Sequence, residues 1–228
     1  MSKSTRVFLV RHGATELSAE DRFAGATDVL LSEAGEQQAA ALARRLASVE
    51  LAAIYASPLR RTMRTAELLA APHKLSVSPE PTLVEINHGR WEQHTRAEVE
   101  ATFPDEYAAW EQDPFTFAPL GGETGLSVLA RALPTLRAIV QRHTGRSVLI
   151  VSHKATLRLL IGSLLGFDLR GYRDRLDQSP CCLNLVDFRD ATHARLMLYN
   201  DVSHYADHPA TTQSSLSRWW DAPRRRSQ

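Results

Sequence analysis

The chain has 228 residues, 43% of them apolar and 23% charged, with a formal net charge of +1. That length holds one sizeable domain or two small ones, and the near-neutral balance gives no case for nucleic-acid or membrane-surface binding. No apolar run approaches the ~20 residues that span a bilayer, and the polar Met1–Arg6 segment lacks the apolar stretch of a secretory signal. The only cysteines, Cys181 and Cys182, are adjacent, which excludes a disulfide framework and a cysteine zinc site. They read as small buried side chains in a strand, and a cytoplasmic location is the default expectation.

In chain order, Arg6 to Val10 (RVFLV) is a short apolar run closed by Arg11-His12-Gly13, the pattern of a buried parallel strand. Ser32 is an N-cap for a helix through Ser48, with Leu42 and Leu46 on its apolar face. Leu51 to Ala56 reads as a second buried strand, and Ser57-Pro58 opens a helix through Ala71 with proline in its first turn. Leu75 to Val77 is a short strand, Thr82 to Trp91 an ordered loop, and Arg96 to Trp110 helical but interrupted by Pro104. Asp113 to Gly125 is a proline- and glycine-rich loop. Thr124 or Ser127 starts a long helix to about His143. Ser147 to Val151 is a third buried strand ending in Ser152-His153, and the helix after it runs from Ala155 to Leu165, stopped by Gly166. Leu183 to Phe188 and Arg195 to Leu198 are two further strands joined through Asp190-Ala191-Thr192. Apolar strands alternating with amphipathic helices predict a three-layer α/β/α fold, a mostly parallel sheet with helices on both faces. Residues 1–210 read as a single domain, and 211–228, ending in Arg224-Arg225-Arg226, as a polar tail.

Three segments share one layout: Val10-Arg11-His12-Gly13, Ala56-Ser57-Pro58-Leu59-Arg60-Arg61 and Val151-Ser152-His153-Lys154. Each is a buried strand whose C-terminal end delivers polar groups just before a helix or loop, the place where open α/β sheets bind ligands. Two histidines and several arginines would converge there, near helix N-termini that offer N–H donors to an anion. No close carboxylate or histidine accompanies either histidine, and Arg11 and Lys154 beside them would repel a cation. No metal and no cofactor is therefore expected.

These motifs resemble those of the histidine phosphatase, or phosphoglycerate-mutase-like, superfamily, over about Arg6 to Leu198. Arg11-His12-Gly13-Ala14-Thr15 fits the opening signature, and Asp28 with the Leu31–Gln37 stretch resembles the approach to the first long helix. Ser57-Pro58-Leu59-Arg60-Arg61 with Thr65-Ala66 fits the second signature, Leu83-Val84-Glu85 with Gly89 and Trp91 the acid loop, and Ser152-His153 with Arg158 the last. The resemblance implies that His12 is the nucleophile, that Arg11, Arg61 and His153 hold the phosphate, and that Glu85 is the proton donor; Thr15 and Lys154 are further candidate substrate contacts. Imidazole suits the role, since its neutral form is nucleophilic near neutral pH and its second nitrogen can donate to a fixed acceptor. Two positions depart from the family pattern: Ser18 stands where asparagine is frequent, and Lys154 where glycine is frequent. If the backbone at Lys154 needed a positive φ, lysine there would be strained.

The expected function is therefore hydrolysis of small-molecule phosphomonoesters through a phosphohistidine on His12. The alternatives are a cofactor-dependent phosphoglycerate mutase and a catalytically idle phospholigand-binding module. The segment from His94 to Gly122 carries Glu98, Glu100, Asp105, Glu106, Glu111 and Asp113 against Arg96. Such an acidic roof would disfavour a bisphosphorylated intermediate and so speaks for the phosphatase. Trp110, Phe115 and Phe117 are expected to line it. The sequence leaves the natural substrate open, and it neither requires nor excludes a homo-oligomer.

Overall fold

A computed structural model describes residues 4–19 and 22–207. The proposed tail 211–228 lies outside them. Six strands, β1 (Thr5–Arg11), β2 (Ala53–Ala56), β3 (Val77–Pro79), β4 (Ser147–Ser152), β5 (Leu183–Phe188) and β6 (Ala194–Asp201), form one sheet in the order β3-β2-β4-β1-β5-β6. The first four are parallel neighbours, whereas β5 and β6 run antiparallel on the far edge. The helices are α1 (Glu16–Ala19), α2 (Glu33–Leu46), α3 (Arg60–Ala70), α4 (Arg96–Thr102), α5 (Pro104–Gln112), α6 (Gly125–Arg142), α7 (Lys154–Leu164) and α8 (Tyr172–Arg175).

Strand parity explains why the sheet is covered on both sides. Alternate residues of a strand point to opposite faces. Val7, Leu9, Val148 and Ile150 pack with Leu136, Ile139 and Val140 of α6 and Leu157 and Leu160 of α7. Phe8, Val10, Leu149 and Val151 pack with Ala39, Leu42 and Leu46 of α2 and Ala66 and Leu69 of α3. A central strand buried on both faces needs apolar side chains at every position, which is why RVFLV and SVLIV show no alternation. The expected three-layer fold is the observed one.

Local signals hold in most places. Ser32 accepts the Gly35 N–H and caps α2. Thr95 and Glu98 form a reciprocal capping box on α4, and Pro104 opens α5 after a break at Phe103. Thr124, not Ser127, caps α6. Three expectations need correction. α3 begins at Arg60, not at Pro58, because the Asp28 carboxylate accepts the Arg60 N–H at 2.8 Å and sets the first turn there. β3 covers Val77–Pro79, two residues later than expected, since its register is fixed by pairing Ile54 with Val77. Cys181 and Cys182 are buried but lie in the turn before β5, with Cys181 at φ 53° and its N–H bonded to the His12 carbonyl at 3.0 Å.

Residues 81–124 form a roof over the C-terminal edge of the sheet, with its own small core. Trp91, fully buried, meets Phe23, Val99, Tyr107 and Trp110. The Arg173 guanidinium of α8 lies 3.8 Å from the centroid of the Trp110 ring, a cation–π contact that ties the roof to α8. No helix among the described residues is long and apolar enough to cross a membrane.

Candidate active site

Parallel pairing of β1 with β4 puts Arg11 opposite Ser152, and β2 lies on the other side of β4. The next residue of each strand is still stitched to its neighbour: the His12 N–H donates to the Ser152 carbonyl at 3.0 Å and the Ser57 N–H to the Val151 carbonyl at 3.1 Å. Three strand ends thus deliver His12, His153 and Ser57 side by side. The two imidazole rings are 5.3 Å apart, centroid to centroid, and the His153 Nε2 is 2.8 Å from the Ser57 hydroxyl oxygen.

The state of His12 follows from its partner. Its Nδ1 lies 2.7 Å from the Gly13 carbonyl oxygen. A carbonyl only accepts, so Nδ1 carries the proton and Nε2 keeps its lone pair. Burial, and then the charges of Arg61 and Arg11, push the His12 pKa well below its ordinary value, so the neutral, nucleophilic form prevails at neutral pH. Burial, Arg61, His12 and Arg11 act in the same direction on His153, whose Nδ1 is buried without a hydrogen-bond partner.

The loop after His12 is set by close backbone approach. A Cβ on Gly13 would sit 2.6 Å from the Gly35 carbonyl oxygen, and one on Gly35 would sit 2.2 Å from that of Ala14. Both atoms are backbone and cannot swing aside. Gly13→Ala is therefore expected to cost about 1–3 kcal/mol of stability in a urea melt and, by pushing His12 off its bond to residue 13, to lower turnover as well. A variant as stable and active as the parent would show that this approach does not position His12.

Arg61 projects from the first turn of α3 and is almost fully buried. It donates to the carbonyls of Thr27 at 2.7 Å and Gly25 at 2.8 Å. That loop is gathered by Glu92, whose carboxylate accepts the N–H groups of Gly25, Ala26, Thr27 and His88 and the Thr27 hydroxyl. Burial alone would raise the Glu92 carboxyl; the Thr27 hydroxyl and the backbone donors hold it below its usual value. Arg11 donates to the Gln178 carbonyl at 2.7 Å, while its Nε is buried with no partner. Burial lowers the Arg11 pKa, and Cys182, Asp177 and Glu85 offset that only in part.

Glu85 closes the N-terminus of α7. Its Oε1 accepts from the N–H groups of Ile86 and Thr156 and from the Thr156 hydroxyl, and its Oε2 accepts the Ala155 N–H at 3.0 Å. Oε2 thus has capacity left for a proton. The acid loop is braced by Arg131 of α6, which donates to the carbonyls of Thr82, Val84 and Glu85 and pairs with Glu123 at 3.0 Å. Among the described residues no group of three or more histidine, cysteine, aspartate or glutamate side chains could hold a metal ion.

A family model described as the histidine phosphatase superfamily, branch 1, matches residues 7–202. The chain belongs to that superfamily. It is 37% identical over 164 residues to phosphoserine phosphatase 1 of Hydrogenobacter thermophilus, covering 72% of this chain and 78% of that one. It is 33% identical over 213 residues to a probable phosphoglycerate mutase of Cronobacter sakazakii, covering 90% and 96%. Among solved structures, a mycobacterial glucosyl-3-phosphoglycerate phosphatase superposes with a TM-score of 0.79 at 29% identity, covering 87% of this chain and 99% of that one.

As in the superfamily pattern read from the sequence, His12, Arg11, Arg61, His153 and Glu85 meet at one edge of the sheet. The Glu85 carboxylate works against the lowering of the Arg11 and Arg61 pKa values by burial. Thr15 is buried immediately before α1. Lys154 is the first residue of α7 and is not among the non-glycine residues at positive φ, so lysine in the usual glycine position is unstrained. The expected roof aromatics are placed differently: Trp110 and Phe117 belong to the roof's own core, and Phe115 packs beside Ile86 and Leu159. Sequence reading missed Glu92, Arg131 and Asp177. No local motif marks them, because each acts on a segment distant in the chain.

Proposed function

We propose that this histidine phosphatase hydrolyses phosphomonoesters of small metabolites by passing the phosphoryl group through His12. The observation that carries this reading is the His12 Nδ1–H bond to Gly13, which leaves Nε2 as a lone pair beside Arg11, Arg61 and His153. In the first step Nε2 attacks phosphorus and the P–O ester bond breaks. Glu85, in its acid form, gives its proton to the departing alkoxide. In the second step water attacks the phosphohistidine, its proton goes to the Glu85 carboxylate, the N–P bond breaks, and inorganic phosphate leaves. The arginines and His153 offset the charge that gathers on the equatorial oxygens throughout. Thr15 and Lys154 contact the substrate. A cytoplasmic setting belongs to the same proposal, and its support is that Cys181 and Cys182 are free, buried thiols.

The direct test is to quench the enzyme during turnover of a phosphorus-labelled substrate. Acid-labile, alkali-stable label on the peptide containing His12 is the expected result; its absence under rapid quench overturns the covalent route.

The mutase relative keeps a second reading in view, in which the phosphoryl group returns to the substrate. The acid count of the roof is weaker support for hydrolysis than the sequence suggested, because several of those acids are engaged: Glu106 with Arg90, Glu111 with Arg96 and Arg173, and Asp113 with Thr116. With 3-phosphoglycerate and catalytic 2,3-bisphosphoglycerate, we expect phosphate release to exceed isomerisation. Isomerisation much the faster, with other phosphoesters untouched, would replace the phosphatase by the mutase.

A further inference from the structure

We propose that Ser57 is a positioning residue for the phosphate pocket: its hydroxyl donates to His153 Nε2, so the ring proton is held on Nδ1 and His153 meets the phosphoryl group as an N–H donor. This rests on the phosphatase reading above, in which His153 helps to hold the phosphoryl group. It gives a task to a residue of the second signature that had none.

Placement comes first. Ser57 and His153 are both fully buried, and His153 Nε2 lies 2.8 Å from the Ser57 hydroxyl oxygen. The serine backbone is held from two sides. Its N–H donates to the Val151 carbonyl of β4 at 3.1 Å, and its own carbonyl accepts the Thr62 hydroxyl of α3 at 2.9 Å. The hydroxyl is therefore fixed beside the imidazole before any ligand arrives.

The direction of the bond follows from counting donors and acceptors. The groups facing His153 are His12 and Arg11 from β1, Arg61 from α3 and Arg131 from α6; with burial, the largest cause, they hold its pKa well below the ordinary value. The ring is neutral and has one N–H. Among the described residues the Ser57 hydroxyl has one other hydrogen-bond neighbour, the Leu59 N–H at 3.5 Å, which is itself a donor. Nε2 is thus the acceptor left for the serine proton. Were the ring proton on Nε2, two buried groups would be orphaned: the serine O–H, and the lone pair of Nδ1, which has no hydrogen-bond partner. With the proton on Nδ1, only that N–H is left over. An oxyanion satisfies it, whereas a lone pair there would repel one. With Nε2 turned to Ser57, Nδ1 is also the ring nitrogen still free for an anion. His12 is the complement: it ties its Nδ1–H to Gly13 and offers a lone pair, and the two rings are 5.3 Å apart. One histidine supplies the nucleophile and the other a donor for the phosphoryl oxygens.

The test reads the proton directly. In nitrogen-15 spectra of wild-type protein, the His153 signals are those missing from His153→Asn. They should show a protonated Nδ1 and a bare Nε2. In Ser57→Ala the proton should no longer be confined to Nδ1, and inorganic phosphate should bind about tenfold more weakly at about pH 8, the worth of one oriented hydrogen bond. As the pH is lowered through the His153 titration, followed in the same spectra, this gap should close. The imidazolium carries protons on both nitrogens, so there is no tautomer left to choose. A wild-type ring protonated on Nε2 overturns the inference. So does phosphate binding undiminished in Ser57→Ala, or a gap that persists after His153 is charged, which would make Ser57 merely structural. A wild-type protein that binds no phosphate overturns the inference together with the pocket. One that binds phosphate but hydrolyses no ester overturns only the phosphatase reading, and the spectra and phosphate Kd values still decide the role of Ser57.

Discussion

His12→Ala should lose at least about 10⁴-fold in kcat, about 5.5 kcal/mol of barrier at 1.36 kcal/mol per decade, while keeping the fold. The magnitude follows from what is removed. Without Nε2 there is no covalent path, and water would have to attack the ester directly in a pocket shaped around an imidazole. The fold should persist because, among the described residues, the His12 ring makes one hydrogen bond, to the carbonyl of the next residue. Its backbone N–H, which does join β1 to β4, is untouched by the substitution. The stability cost should be about 1–2 kcal/mol in a urea melt, the size of one buried hydrogen bond and a small void. Inorganic phosphate should still bind, since Arg11, Arg61 and His153 remain. A folded alanine variant with undiminished turnover would remove His12 from the mechanism. Lost phosphate binding would point instead to a collapsed pocket.

Glu85→Gln should have the next largest effect, and its size should depend on the leaving group. An alkyl alkoxide must be protonated as the P–O bond breaks, so general-acid loss should cost about 10²–10⁴-fold there. A nitrophenolate leaves without that help, and its rate should fall less than about tenfold. The contrast matters because Glu85 also has a structural part: glutamine can accept from Ile86 and Thr156 through its carbonyl, but its NH₂ would face the Ala155 N–H that Oε2 now accepts. That donor–donor contact lowers stability and loosens the N-terminus of α7 for every substrate alike. Only the chemical role separates the two leaving groups. Equal losses for an alkyl phosphate and for p-nitrophenyl phosphate would assign Glu85 to positioning.

Much of this molecule was legible in its sequence, for reasons that are local. Strands buried on both faces must be apolar at every position, so RVFLV and SVLIV announced themselves, and polar residues directly after such strands must emerge at their C-terminal edge. His12, Arg11, His153 and Arg61 could therefore be assigned to one crevice before any contact was known. The helix cap at Ser32 was readable, and the one at Thr124 was narrowed to two candidates, because capping is settled within one turn.

Tertiary structure alone decided what depends on a partner far along the chain. The sheet order places β4 between β1 and β2, and only that order sets Ser57 against His153. The loop that carries Glu85 is held by Arg131, and the loop that holds Arg61 is held by Glu92. The start of α3 and the register of β3 moved from their expected places because Asp28 and β2 fix them. Lys154 was visible in the sequence as a departure from glycine. Its meaning was not, since a lysine's charge state depends on how deeply it is buried and which ions face it. Here those are Arg158 one turn along the same helix, and Asp177 and Arg11 brought from elsewhere in the fold.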